Sequence, residues 1–343
     1  MATTAQITGG VFPQEIDVIA RNTLNHTLKS LPQVMRNAPF TMESKMAGNT
    51  GMYKIFKERI HIGEYASYRP EGDVSAQAIV QYGYEKTMTL ETKSKQVGIT
   101  EIMRRAGKDS QEINDLIRSM VVNVPNRMDL DLCHYCMTFH TATTYTDQDG
   151  RSINIAMGDT KAAGASDHTL TGSGTTYTTI NTGNPQFSKG ALEAAEKSFV
   201  ENTYNNLGEK MTLAERRVIL TTEDPNTCNA VAELLHATAD VTSSNSGTFN
   251  VYQNKYTHIK WPRIATDPAG NPNTAKAKYW ALVAPDASDL YLCVLQEPTL
   301  STPTDSNNGA DISSGNWTYV VAGIYGITMV TARGWRYSTG LGA

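Results

Sequence analysis

From residue 52 to residue 99 the chain alternates. In the second half, Val80, Tyr82, Tyr84, Met88 and Leu90 fall on one side of an extended backbone, and Gln81, Glu85, Thr87, Thr89 and Glu91 on the other. That period-two pattern belongs to a strand with one covered face. The first half, Tyr53 to Ile62, also favours strand through Ile55, Ile60 and Ile62. Between the halves, Arg69-Pro70-Glu71-Gly72-Asp73 is a strong turn signal. Two arms of about 12–15 residues would each reach roughly 40–50 Å at about 3.3 Å per residue. Neither arm is apolar enough to be buried on both faces. The segment therefore predicts a long hairpin projecting from the body and in need of a surface to lie on. The alternative is a meander inside one sheet.

Helical spacing flanks this hairpin. Before it, Ile16, Ile19, Leu24, Leu28 and Leu31, then Val34 and Met35, recur at threes and fours, with Pro32 and Pro39 as breaks. After it, Asp109 and Glu112 resemble a capping box. An apolar stripe then runs from Ile113 through Leu116, Ile117, Met120, Val121, Val124, Met128, Leu132, Tyr135 and Cys136 to Phe139. A helix of about 30 residues would be roughly 45 Å long, long enough to span a whole domain, with a bend expected at Pro125.

Residues 141–186 are rich in Thr, Gly, Ser and Asn and predict an exposed loop with short strands. Ser188 is placed to cap a helix carrying Leu192, Ala195, Phe199 and Val200. A strand at Arg217–Thr221 follows, and Asp224-Pro225 starts another helix, burying Val231, Leu234 and Leu235. Strands are expected around 256–264, 279–284 and 290–295. A polar loop at 301–316 leads to an apolar strand pair at 317–331.

Composition narrows the function classes. The chain has 343 residues, 40% hydrophobic and 19% charged, with 30 Lys+Arg against 34 Asp+Glu. A balance this even argues against a dedicated nucleic-acid binder, which carries a basic face. It leaves open a wall that merely encloses nucleic acid. The start, MATTAQITGG, lacks a cationic and apolar leader, so no signal peptide is expected. The most apolar stretch, Tyr319–Val330, falls short of the roughly 20 residues of a membrane span. A soluble protein made in a cytoplasm is the expectation, with its four cysteines reduced.

Candidate chemistry is sparse. Cys133 and Cys136 form a CxxC that suits a redox pair or half a zinc site, with His140, Cys228 and Cys293 as further ligands. The pair sits within a helical stripe and has no second CxxC, so buried apolar use is preferred. Asp129 and Asp131 are assigned to a solvated helix face. No P-loop, GxGxxG, GxSxG or HExxH occurs. No catalytic residue, metal or cofactor is assigned. The charges Lys54, Lys57, Glu58, Arg59, Glu64, Arg69, Glu71 and Asp73, together with Tyr65, alternate over the hairpin. They are candidates for setting register against another subunit.

Four segments carry a resemblance. RVILTTEDPNTCNAVAELL is a strand-to-helix step and YTHIKWPRIATD a strand closing on a proline. AKYWALVAPDASDLYLCVLQEP is a strand, short turn and strand, and YGITMVTARGWRYSTG is a closing strand. In that order, after an arm, a long hairpin and a long helix, the chain resembles the major capsid proteins of tailed double-stranded-DNA bacteriophages, with an HK97-like capsid fold. The resemblance implies an α+β subunit. Its parts would be an N-terminal arm (1–45), an extended hairpin loop (46–100) and a peripheral domain with a spine helix (101–145). A loop insertion (146–185), an axial α/β domain (186–298) and return strands to the peripheral domain (299–343) would complete it. Arg333 and Trp335 of the closing motif join the interface candidates.

Such subunits form hexamers and pentamers of an icosahedral shell around packaged DNA. The implied partners are further copies of the chain, a portal protein and, in some shells, a decoration protein. Only about 50 residues precede the hairpin, so a separate scaffolding protein is expected. Virion localisation follows, without membrane or sequence-specific DNA binding. An encapsulin-like compartment shell is the nearest alternative, and a metal or thiol enzyme centred on Cys133 and Cys136 is an alternative of a different class.

Overall fold

In a computed structural model the described residues are 18, 21–22, 24–26, 29, 31–46, 51–58, 65–66, 68–75, 83–100, 110–213, 216–240, 248–302 and 317–342, with backbone alone for 110–114. The first strands are β1 (Thr41–Lys45), β2 (Tyr53–Lys57), β3 (Glu85–Thr89) and β4 (Glu91–Ile99). Helices α1 (Ser110–Val121) and α2 (Asn123–Cys133) follow, and a wider π-turn at His134–Thr138 extends the latter. Two small hairpins come next, β5 (Thr144–Thr146) with β6 (Ser152–Asn154) and β7 (His168–Thr169) with β8 (Thr176–Tyr177).

The second half runs α3 (Lys189–Glu201), β9 (Val218–Thr221), α4 (Pro225–His236), β10 (Thr257–Lys260) and β11 (Trp280–Val283). It ends with β12 (Leu290–Ser301), β13 (Trp317–Met329) and β14 (Trp335–Ser338). Local chemistry sets the two helix starts as the sequence predicts. The Ser188 hydroxyl accepts from Ala191 N at 3.2 Å, and the Asp224 carboxylate accepts from Thr227 N at 3.0 Å with Pro225 following.

Two four-stranded sheets organise the molecule, in the orders β1-β12-β13-β4 and β10-β9-β11-β14. In the second sheet, strands β9 and β11 are buried on both faces. Val218 and Leu220 join Ala281 and Val283 in the main core, whereas Ile219, Trp280 and Leu282 face Leu192, Phe199, Val231 and Leu235 of the helices. The same period-two alternation therefore serves two apolar layers. The main core also takes Met128 and Leu132 of α2, Leu292 of β12, Met329 of β13, and Trp335 and Tyr337 of β14, which welds the two sheets together. At the far end of the first sheet, Ile117, Met120 and Val121 of α1 pack with Ile99, Tyr319 and Val321, and Leu24 of the N-terminal segment joins them.

Four features differ from the sequence-based expectation. The long helix breaks at Val122, not at Pro125. Proline lacks an N–H and its ring crowds the carbonyl four residues back, which is that of Val121, the last residue of α1. The expected strand pair at 317–331 is one strand, β13. Its Gly326 makes room instead of a turn, since a Cβ there would lie 2.8 Å from the Thr89 carbonyl oxygen and 2.9 Å from Met88 Sδ.

Much of the Thr/Gly/Ser-rich segment is buried. Ile155, Met157 and Ala163 enter the main core, and the Thr179 hydroxyl donates to Ala163 O at 2.6 Å. Finally, β12 belongs to the first sheet, so the expected boundary at 298 falls within it, and β14 belongs to the second. The capping pair at Asp109 and the polar loop 303–316 lie outside the described residues.

Candidate subunit-contact site at the hairpin

Strands β2 and β3 form the antiparallel root of the long hairpin, with Ile55 opposite Thr87 and Phe56 opposite Lys86. On β3 alternation sorts the side chains as the sequence implies, whereas on β2 Phe56 turns in and Ile55, the strand's apolar signal, faces out. Phe56 and Met88 turn inward with Leu90 and pack with Cys293 and Val330, and the Phe56 ring stacks on Tyr291 at 4.5 Å. Tyr53, Ile55, Lys57, Glu85, Thr87 and Thr89 face out. The predicted turn is present as well: Asp73 N donates to Pro70 O at 3.2 Å, with Gly72 at φ 81°, a conformation glycine adopts without cost.

The candidate contact residues divide into two groups. Tyr65, Arg69, Glu71 and Asp73 are exposed, and Arg69 Nε donates to the Asp73 carbonyl across the turn. Lys57 is exposed and pairs with Glu85 at 3.4 Å, and Lys54 lies 4.9 Å over the Phe56 ring. Arg59 and Glu64 lie outside the described residues. Glu58, Arg333 and Trp335 are placed inside the subunit. Trp335 is fully buried, edge-on to Phe40 at 5.0 Å and stacked on Tyr337 at 5.4 Å. Glu58 and Arg333 form a buried ion pair with each other. Burial pushes the Glu58 pKa up, opposed by Arg333 and the Tyr84 amide. These three residues organise the fold of their own chain, and none is available to a neighbour.

Sequence reasoning missed Lys86. It turns inward from β3, and its ammonium donates to the Tyr135 hydroxyl of the π-turn and to the Ala156 carbonyl. Burial lowers its pKa to about 8. Its position on the apolar side of the alternation, opposite Phe56, was the available signal.

The paired aspartates are not on a solvated face. Asp129 is buried and accepts from Met35 N at 2.9 Å, which fastens the N-terminal segment to α2. Asp131 is buried, accepting from Arg127 Nε at 2.7 Å and from the Tyr325 hydroxyl at 2.8 Å. Burial raises the pKa of each carboxyl. Asp131 belongs to a charge chain: Arg127 also approaches Asp147 at 3.8 Å, Arg151 pairs with Asp147 at 2.8 Å and with Glu91 at 3.1 Å, and Lys93 closes on Glu91 at 2.8 Å. The chain borders a cavity of about 250 Å³ lined by Lys86, Tyr135 and Tyr145 among others.

Cys133 and Cys136 are fully buried in the main core, and burial pushes both thiols up, away from the reactive thiolate. Among the described residues, no three His, Cys, Asp or Glu side chains gather where a metal could be held, and no helix is long and apolar enough to cross a membrane.

No protein-family model matches the chain, and no curated protein matches it. Solved structures do. The capsid of the cyanophage P-SCSP1u aligns with a TM-score of 0.50 at 12% identity, over 87% of this chain and 85% of that one. The capsid of the native GTA particle aligns with a TM-score of 0.51 at 9% identity, over 90% of this chain and 89% of that one. A virus-like particle from Pyrococcus furiosus aligns with a TM-score of 0.44 at 10% identity, over 95% and 98%. At these identities the likeness is one of architecture, and for the first two it extends over 87% and 90% of this chain. The chain has the fold of phage capsid proteins.

Proposed function

We propose that the chain is the shell-forming subunit of a double-stranded-DNA phage head. Copies assemble into hexamers and pentamers of an icosahedral shell that encloses packaged DNA without reading its sequence. The observation that carries this is where apolar surface is left uncovered. Of the large apolar side chains exposed among the described residues, half lie between Met52 and Val74. Tyr68 is 91% exposed, Val74 87% and Tyr65 74%, and Tyr53 and Ile55 add to the outward face of the root. Exposed apolar groups concentrated on one extended element mark a contact surface.

In a chain with a capsid subunit's fold, the partner that fits is another copy. A weak contact repeated around a closed array becomes a stable wall. The function is structural, and the interface candidates that support it are Lys54, Lys57, Tyr65, Arg69, Glu71 and Asp73, with Arg59 and Glu64 retained from the sequence. A separate scaffolding protein, a portal protein and a decoration protein complete the proposed partners, and the virion is the proposed location.

The test is negative-stain electron microscopy of the purified chain over a concentration series, with and without co-expressed assembly partners. Capsomer rings or uniform closed particles are expected. A chain that stays monomeric or dimeric under every condition overturns the proposal.

A further inference from the structure

The root of the hairpin is held by buried charges as well as by apolar contact. Glu58 directly follows β2. Its amide donates to Tyr84 O at 2.8 Å and its carboxylate accepts from Tyr84 N at 3.0 Å, which ties the two arms together. The same carboxylate pairs with Arg333, from the loop between β13 and β14, and both side chains are nearly inaccessible, at 2% and 8% exposure. The space around the pair is filled. A Cβ on Gly83 would overlap Glu58 and come within 2.8 Å of Asn206 Nδ2, and one on Gly158 would lie 2.5 Å from Tyr84 Cβ.

From the other strand, Lys86 reaches the π-turn and the 156 segment through Tyr135 and the Ala156 carbonyl. The two anchors thus have opposite charge, one just past β2 and the other on β3, and grip separate parts of the body. Apolar contacts such as Phe56 on Tyr291 tolerate sliding and rotation, whereas charge-assisted hydrogen bonds are directional. Desolvation offsets most of what a buried ion pair contributes to stability, so direction is what this arrangement adds.

We propose that Glu58, Arg333 and Lys86 are positioning residues that fix the direction of the hairpin in the free subunit, before a neighbour is met. This rests on the hairpin being the arm that reaches another copy. A subunit with its arm already aimed loses little conformational freedom on assembly, and every copy presents the same geometry to the next.

Hydrogen exchange by mass spectrometry on the unassembled full chain tests this, with Glu58→Gln, Arg333→Met and Lys86→Met compared with Arg333→Lys. Amides of 53–57 and 85–89 should exchange at least about tenfold faster in the first three, the size of one lost charge-assisted hydrogen bond. Amides of β12 and β13 should be unchanged, and the fraction of closed particles should fall. Arg333→Lys, which keeps the charge, should restore most of both. Unchanged exchange at the root overturns the proposal, and so does a rise spread evenly over both sheets, which would assign these residues to ordinary stability. The exchange readout needs no assembly. A wild-type chain that never closes into particles while its variants loosen at the root overturns the shell function and leaves the anchor standing.

Discussion

Arg127 is the hinge at the buried end of the charge chain, and replacing it with methionine tests how that chain is balanced. Methionine retains most of the aliphatic volume and removes the guanidinium that serves Asp131 at 2.7 Å and Asp147 at 3.8 Å. The two carboxylates are not equally exposed to the loss. Asp147 keeps Arg151 at 2.8 Å and accepts from the amides of Asp149 and Arg151. Among the described residues, Asp131 keeps only the Tyr325 hydroxyl as a direct hydrogen-bond partner. Stranding one buried carboxylate costs about 3–5 kcal/mol. The low end, about 3 kcal/mol, is expected because one hydrogen bond survives and the group is able to take up a proton.

The double variant Arg127→Met with Asp131→Asn removes the stranded charge. It should cost only about 1–2 kcal/mol, well below the sum of the single changes. Acid should also rescue the single variant. Burial already raises the Asp131 pKa against the pull of Arg127, Lys93 and Tyr325. The native state therefore binds this proton more tightly than the unfolded chain. The residue's contribution to stability declines as pH rises from the unfolded carboxyl value through the native one. Removing Arg127 raises the native value further, so the penalty is largest near neutrality and shrinks on acidification. Urea unfolding of the unassembled subunit at several pH values measures it. A penalty under about 1 kcal/mol at neutral pH, or a double variant as costly as the sum, refutes the assignment of Arg127 as the partner that Asp131 requires.

Three further outcomes follow from the same structure. Tyr53→Asp with Ile55→Asp alters only the outward face of the hairpin root, so the unfolding free energy should stay within about 0.5 kcal/mol of wild type while particle formation is lost; normal particles would remove this face from the interface. Gly326→Ala places a methyl against the Thr89 carbonyl and Met88, and a destabilisation of about 1–3 kcal/mol is expected by urea unfolding. Cys133 and Cys136 should resist iodoacetamide in the native chain and react only on unfolding, because burial holds both thiols protonated; stoichiometric labelling of the native protein would contradict their place in the core.

What could be read in the sequence was local. The Ser188 cap and the Asp224-Pro225 start each depend on neighbours within a few residues, and the structure has both where the pattern puts them. The hairpin was legible in part: β2 and β3 pair as its root, but β4, expected as the end of its second arm, pairs with β13 in the first sheet. What could not be read was pairing across the chain. Glu58 looks like one more surface charge until the 330–333 loop is folded against it, and nothing near Glu58 encodes that contact. The Thr/Gly/Ser-rich segment failed for a related reason. Several of its polar side chains find partners inside the molecule, His168 with the Asp159 carboxylate at 2.7 Å and Thr179 with the Ala163 carbonyl, so a composition typical of solvent lies inside.

Asp131 is the instructive case, because its signal was present. It lies seven residues after Val124, three after Met128 and four before Tyr135, on the apolar stripe itself, with Arg127 one turn earlier. A carboxylate on a buried stripe with a cation four residues away is better taken as a buried pair than as a solvated charge, since burial without a partner would be prohibitive. Applied to β3, the same rule finds Lys86 on the inward face opposite Phe56. Charges that break an apolar period are where this chain fastens its parts together, while the exposed charges of the 68–73 turn, Arg69, Glu71 and Asp73, break no such period.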